Sequence, residues 1–131
     1  MNNQVNLESV RYEKSGRIAT ITLNRPDRLN AIDLSMPSDI RKAVKLADID
    51  DDIHVIILQG AGRAFCAGYD LKEFAEKAGT LGNTTKKKQI RGQDPTIDYR
   101  MMMANTEDFM SLWRCSKPTI AKIHGRPFCH I

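Results

Sequence analysis

The residues best suited to chemistry are Phe65-Cys66-Ala67-Gly68-Tyr69-Asp70-Leu71-Lys72-Glu73. They follow an apolar run and a Gly60-Ala61-Gly62 turn, and they lead into a helix start. Small residues at Ala67 and Gly68 let a ligand approach the backbone closely. Where loop becomes helix, the first N–H groups lack an intrahelical partner and point outward. Such groups hold a developing negative charge, as an anion site or as an oxyanion hole.

Other reactive residue types are more dispersed. Arg25 and Arg28 share a loop, where they either reach an anion or stand solvated at the surface. Cys66, Cys115 and Cys129 are odd in number and form no CxxC pair, which argues against disulfides and against zinc. His54, His124 and His130 add no standard ligand spacing, so no metal is expected. Asp48, Asp50, Asp51 and Asp52 cluster where a helix ends. Negative charge there opposes the helix dipole, so a solvated loop is expected; a calcium site is the alternative, but the ligand pattern and its glycine are missing. Lys86-Lys87-Lys88 contacts phosphate or, as most charge runs do, only water.

The elements that must position the turn follow from periodicity. Ala19, Ile21 and Leu23 alternate with Ile18, Thr20 and Thr22, and Val10 and Tyr12 precede Ser15-Gly16, which predicts a hairpin. Asn24-Arg25-Pro26-Asp27 breaks the sheet, because proline cannot donate to a ladder. Ile40, Ala43, Val44 and Ala47 predict a helix from 35 or 37 to 47, with Ser35 or Ser38 as its cap. His54-Val55-Ile56-Ile57-Leu58-Gln59 reads as a strand covered on both faces, completing a βαβ-like unit that runs into the turn. Residues 79–95 read as a long mobile loop. Tyr99, Met102, Met103, Phe109, Met110 and Trp113 predict a helix from Asp98, its cap, to about Cys115, with these side chains in a core or a subunit interface. Residues 119–123 alternate as a last strand before His124-Gly125.

At 131 residues the chain is one domain, with ordinary hydrophobic (41%) and charged (27%) content. It shows neither a membrane-spanning run nor a signal-peptide layout, which points to the cytoplasm. A net charge of +4 suits an anionic small ligand and not the concentrated basic face of a nucleic-acid binder.

Together these stretches resemble the front portion of the crotonase superfamily, the enoyl-CoA hydratase/isomerase enzymes. The resemblance rests on residues 18–23 with Asn24-Arg25-Pro26 and Leu29-Asn30-Ala31, on the strand at 55–58, on Phe65-Cys66-Ala67-Gly68-Tyr69-Asp70-Leu71, and on Lys117-Pro118-Thr119 through His124-Gly125. It implies an α/β fold, a spiral of ββα units of the ClpP/crotonase type, and an acyl-CoA thioester as partner. Coenzyme A would belong to the substrate, with no separate cofactor. By the same resemblance the backbone N–H of Tyr69 donates one oxyanion-hole hydrogen bond, while Arg28, Leu29, Ala31, Ala67, Gly68, Asp70, Leu71 and Lys72 bind the substrate. Hydrating an enoyl thioester, or moving its double bond, puts negative charge on the thioester oxygen. Losing one of two convergent donors there raises the barrier by about 2.7–4 kcal/mol.

The resemblance covers residues 1–125 and leaves 126–131 as a non-matching tail. In the family a glycine-rich turn follows His-Gly and supplies the second donor, with catalytic carboxylates farther on. Here Arg126-Pro127-Phe128-Cys129-His130-Ile131 follows, and Pro127 has no N–H. Glu73, Glu76 and Glu107 match no catalytic position of the family. The expectation is a truncated or frameshifted chain with half an active site, little activity alone, and exposed apolar surface on its last strand. The alternative is a non-catalytic fragment that binds CoA or pairs with another subunit. Family members form trimers or hexamers; such an assembly is not expected of this chain.

Overall fold

Alternation in the first hairpin decides where the core forms. The computed structural model describes residues 3–74 and 95–125. Strand β1 (Gln4–Asn6) pairs antiparallel with β2 (Val10–Ser15), and β2 pairs antiparallel with β3 (Ile18–Leu23). Val10 and Tyr12 of β2 and Ala19, Ile21 and Leu23 of β3 share one face and are buried. Helix α1 (Met36–Asp48) lies over β2 and β3 and presents Met36, Ile40, Ala43, Val44 and Ala47 to that face. These positions recur every three or four residues, which is the spacing of one helical stripe.

The predicted βαβ-like unit is present. β4 (Val55–Gly60) runs parallel to β3, with Ile18 opposite Val55 and Leu23 opposite Gly60. β5 (Thr119–Ala121) pairs parallel with β4 on its other side, giving a five-stranded sheet in sequence order. Helix α2 (Pro95–Arg114) packs against α1, with Phe109, Leu112 and the neighbouring Cys115 touching the core. No described helix is long and apolar enough to cross a membrane.

Several expectations need correction. β4 is not covered on both faces: Ile56 is buried, while its other residues are half-buried, because α1 packs chiefly over β2 and β3. Ser35 is the N-cap residue of α1, one of the two expected, but its side chain makes no capping hydrogen bond. Asp33 Oδ1 instead accepts from the N–H of Ser35 (3.2 Å) and of Met36 (2.8 Å), and Ser38 Oγ donates to the Ser35 carbonyl. A carboxylate at this end also complements the helix dipole. Among the described residues helix α2 already includes Pro95, so Asp98 stands inside the helix and not at its cap. Tyr99, Met102, Met103 and Trp113 stand exposed and lie outside the core. The acidic cluster is more than solvated loop: Asp50 and Asp52 hold Lys14 at 2.7 and 3.1 Å, and Asp48 accepts from the N–H and hydroxyl of Ser116. Of the loop expected at 79–95, Pro95 belongs to α2, and 79–94 with the lysine triplet lie outside the described residues, as does the tail at 126–131.

The last strand is as exposed as expected. All of β5 is open on the surface, with Ile120 54% exposed, and Ile123 just after it is 65% exposed.

Candidate active site

β4 ends where its partner strand ends, and the chain must turn sharply there. Arg25 to Ala31 and Ala64 to Asp70 meet at this end of the sheet and are tied by backbone. The Ala67 N–H donates to the Leu29 carbonyl (3.0 Å), the Ile32 N–H to that of Gly68 (2.8 Å), and the Asp70 N–H to that of Ile32 (2.9 Å). The last two bonds make an isolated parallel bridge between Ile32 and Tyr69.

A parallel bridge uses the carbonyl before and the N–H after the bridged residue, so that residue's own peptide groups face the opposite side. Tyr69 is that residue. Its N–H has no hydrogen-bond partner among the described residues. The amide is turned away from Ile32 and is not absorbed into regular structure. Gly68 supports the geometry with φ +94°, and no atom stands within 4 Å of where a Cβ would be. The Tyr69 ring packs edge-on against Phe74, with centroids 5.7 Å apart, which occupies the side chain and leaves the backbone as the functional group.

Asn30 is the latch between the two segments. It is fully buried, accepts from the Arg25 N–H at 2.8 Å, and donates to the carbonyls of Ala61 and Ala64, both at 2.8 Å. Leu29 and Asn30 both take positive φ (53° and 54°), a conformation that asparagine tolerates better than most residues. From the far side of the turn, His124 Nε2 lies 2.7 Å from the Gly62 carbonyl oxygen, fastening the segment after β5.

The predicted site residues therefore gather on one rim. Leu29, Ala31, Ala67 and Gly68 line it through their backbone, and Leu71 and Lys72 stand exposed at the start of the helical turn 71–74. Asp70 is buried, and its side chain faces inward. It caps that turn by accepting from the Glu73 N–H (3.2 Å) and pairs with Arg25 (3.1 Å). The Glu73 N–H, and then the Arg25 and Arg28 guanidiniums, hold its carboxyl below the ordinary range. The two loop arginines part company. Arg25 is drawn inward by Asp33 and Asp70, whereas Arg28 is 42% exposed and keeps only a long 3.8 Å approach to Asp70. Burial pushes the Cys66 thiol up, against the opposing pull of the Gly68 N–H, which disfavours the thiolate a nucleophile needs.

Two shallow cavities lie elsewhere. One, of about 370 Å³, opens between α1 and α2 beside Arg41, Glu107 and Cys115; the other, of about 350 Å³, opens beside Arg17 and His54. Neither is lined by Tyr69. No cluster of three or more metal-ligating side chains occurs among the described residues.

A ββα unit, a parallel strand and a helix turn that leaves one amide facing outward define a crotonase-like fold. The chain belongs to the enoyl-CoA hydratase/isomerase family, whose model matches residues 18–126. It is 36% identical over 108 residues to the probable enoyl-CoA hydratase EchA14 of Mycobacterium tuberculosis, covering 82% of this chain and 36% of that protein. It is 30% identical over 125 residues to the peroxisomal Delta(3,5)-Delta(2,4)-dienoyl-CoA isomerase of Arabidopsis thaliana, covering 95% and 44%. Among solved structures, an enoyl-CoA hydratase from Mycobacterium smegmatis superposes with a TM-score of 0.74 at 40% identity, over 92% of this chain and 41% of that one. The chain thus spans less than half the length of each of these relatives.

Proposed function

We propose that this chain carries the thioester-binding part of an enoyl-CoA hydratase/isomerase site. The observation that carries the proposal is the Tyr69 N–H, which has no partner among the described residues and faces away from Ile32 at the rim where Arg28, Leu29, Ala31, Ala67 and Leu71 meet. An acyl-CoA offers a thioester carbonyl at one end and phosphates at the other. The Tyr69 amide takes the carbonyl oxygen, and the half-exposed guanidinium of Arg28 attracts phosphate. Lys72 follows Leu71 directly and is exposed.

In hydration, water oxygen bonds to the β-carbon of the enoyl group and the π electrons move onto the thioester oxygen. The enolate then collapses as a proton reaches the α-carbon. In isomerisation a proton leaves one carbon and returns at another through the same enolate. An N–H aimed at that oxygen stabilises both, and the two relatives are named one for each reaction. Moving the protons takes a free carboxylate. Asp70 is engaged with Arg25 and the Glu73 N–H, and Glu73 lies 3.8 Å from Arg25. With one donor and no disengaged acid at the rim among the described residues, the chain by itself binds the thioester and turns it over little.

A second reading, a subunit-pairing fragment, draws on the open edge of β5. Calorimetry separates the readings. Heat with crotonyl-CoA and weaker heat with free CoA supports the proposal, and no heat at millimolar ligand removes it. Rapid loss of enoyl absorbance with the chain alone would contradict the statement on turnover.

A further inference from the structure

One side chain holds both sides of the bridge that orients Tyr69. Arg25 Nη1 donates to the Ala31 carbonyl at 2.6 Å, Nε faces the Asp33 carboxylate at 3.3 Å, and Nη2 faces that of Asp70 at 3.1 Å. Ala31 and Asp33 flank Ile32, and Asp70 follows Tyr69. The guanidinium therefore touches both neighbours of one bridged residue and one neighbour of the other. Its donors sit in a rigid planar fork, which lets one group meet three acceptors on two segments. A lysine ammonium keeps the charge but not the fork.

We infer that Arg25 is a positioning residue: without touching the ligand, it fixes the direction in which the Tyr69 amide points at the thioester oxygen. The inference rests on the proposed function and adds a residue to it. The physical reason is directional. An oxyanion donor acts only when it lies about 2.7–3.1 Å from where the charge develops. Loosening one side of the bridge rotates the amide. The groups that hold the rest of the CoA, Arg28 and the loop backbone, stay in place, so binding survives while polarisation of the carbonyl falls. A mere stability brace would show the reverse, a lower melting point with an unchanged carbonyl.

The test uses the full 131-residue chain and crotonyl-CoA labelled with ¹³C at the thioester carbonyl. The bound carbonyl resonance moves downfield as hydrogen bonding polarises it. Arg25→Lys is expected to bind within about threefold of the parent affinity and to lose more than half of that downfield movement. Asp33→Asn, which leaves Arg25 in place but removes one charged partner, is expected to lose a smaller part. A folded Arg25→Lys chain with the full movement overturns the inference. Should that variant not fold, a folded Asp33→Asn chain decides: reduced movement supports the inference and full movement overturns it. Loss of folding in both makes Arg25 a stability residue and also overturns it. A parent chain that binds without moving the carbonyl sinks the proposed function itself, a separate and recognisable outcome.

Discussion

Gly60 leaves the turn no spare room. A Cβ there would stand 2.5 Å from the Phe65 carbonyl oxygen, 2.7 Å from that of Ala64, and 2.8 Å from Asn30 Nδ2. Gly60→Ala therefore forces apart the two segments that Asn30 latches, at about 1–3 kcal/mol of stability. The check is a lowered urea midpoint; an unchanged midpoint contradicts the packing described. Asp70 gives the site its acid sensitivity. Its carboxyl is held below its ordinary value of 3.8, first by the Glu73 N–H and then by Arg25 and Arg28. The unfolded chain then takes up the proton first, so Asp70's contribution is complete above about pH 4 and fades as pH falls through the native value. Asp70→Asn should flatten the acid limb of a midpoint-against-pH profile, and an unaltered limb would remove the pairing. At this scale the sequence was half legible. The small residues of Ala67-Gly68 and the helix start announce an exposed amide. Nothing in the spacing of Arg25, Asp33 and Asp70 tells that they converge, since 45 residues separate the first from the last. Arg25 and Arg28 look alike in sequence, and only folding sorts one inward and the other to solvent.

Among the elements, the C-terminal end of α1 is held by the chain that enters β5. Lys117 Nζ donates to the Ala47 carbonyl at 2.6 Å and also to that of Asp50, and Ser116 donates twice to Asp48. A cation at this end of the helix also complements the helix dipole. Lys117→Met is expected to lower stability by about 1–2 kcal/mol, with amide exchange rising first at 45–48. Uniform loss of protection across the sheet would contradict this local role. The hairpin and α1 were readable because each carries its period in full, Ala19, Ile21 and Leu23 at two, Ile40, Ala43, Val44 and Ala47 at three and four, and β4 because it is a short apolar run between turns. β1 was missed, because Gln4–Asn6 is wholly exposed and has no apolar alternation to reveal it. The apolar side of α2 was expected in a core or a subunit interface; it lies outside the core, and apolar spacing alone does not say whether a partner covers it. Trp113, at 83% exposed, is the clearest case.

For the whole molecule, the balance of surfaces is uneven: a buried core between α1 and the hairpin, and open apolar residues along β5 and α2. Exposed edges that carry isoleucine invite pairing with other chains. Sedimentation velocity is expected to show association that grows with concentration and weakens in Ile120→Lys; a monomer unaffected by concentration would contradict it. The central claim, that the Tyr69 amide faces the acyl carbonyl, is tested most directly by its own resonance. In a ¹⁵N–¹H titration of the full chain, crotonyl-CoA should move the Tyr69 amide proton downfield, and free CoA should leave it nearly still while shifting the residues around Arg28. A Tyr69 amide that stays in place with bound crotonyl-CoA, or moves equally with CoA alone, would contradict the claim.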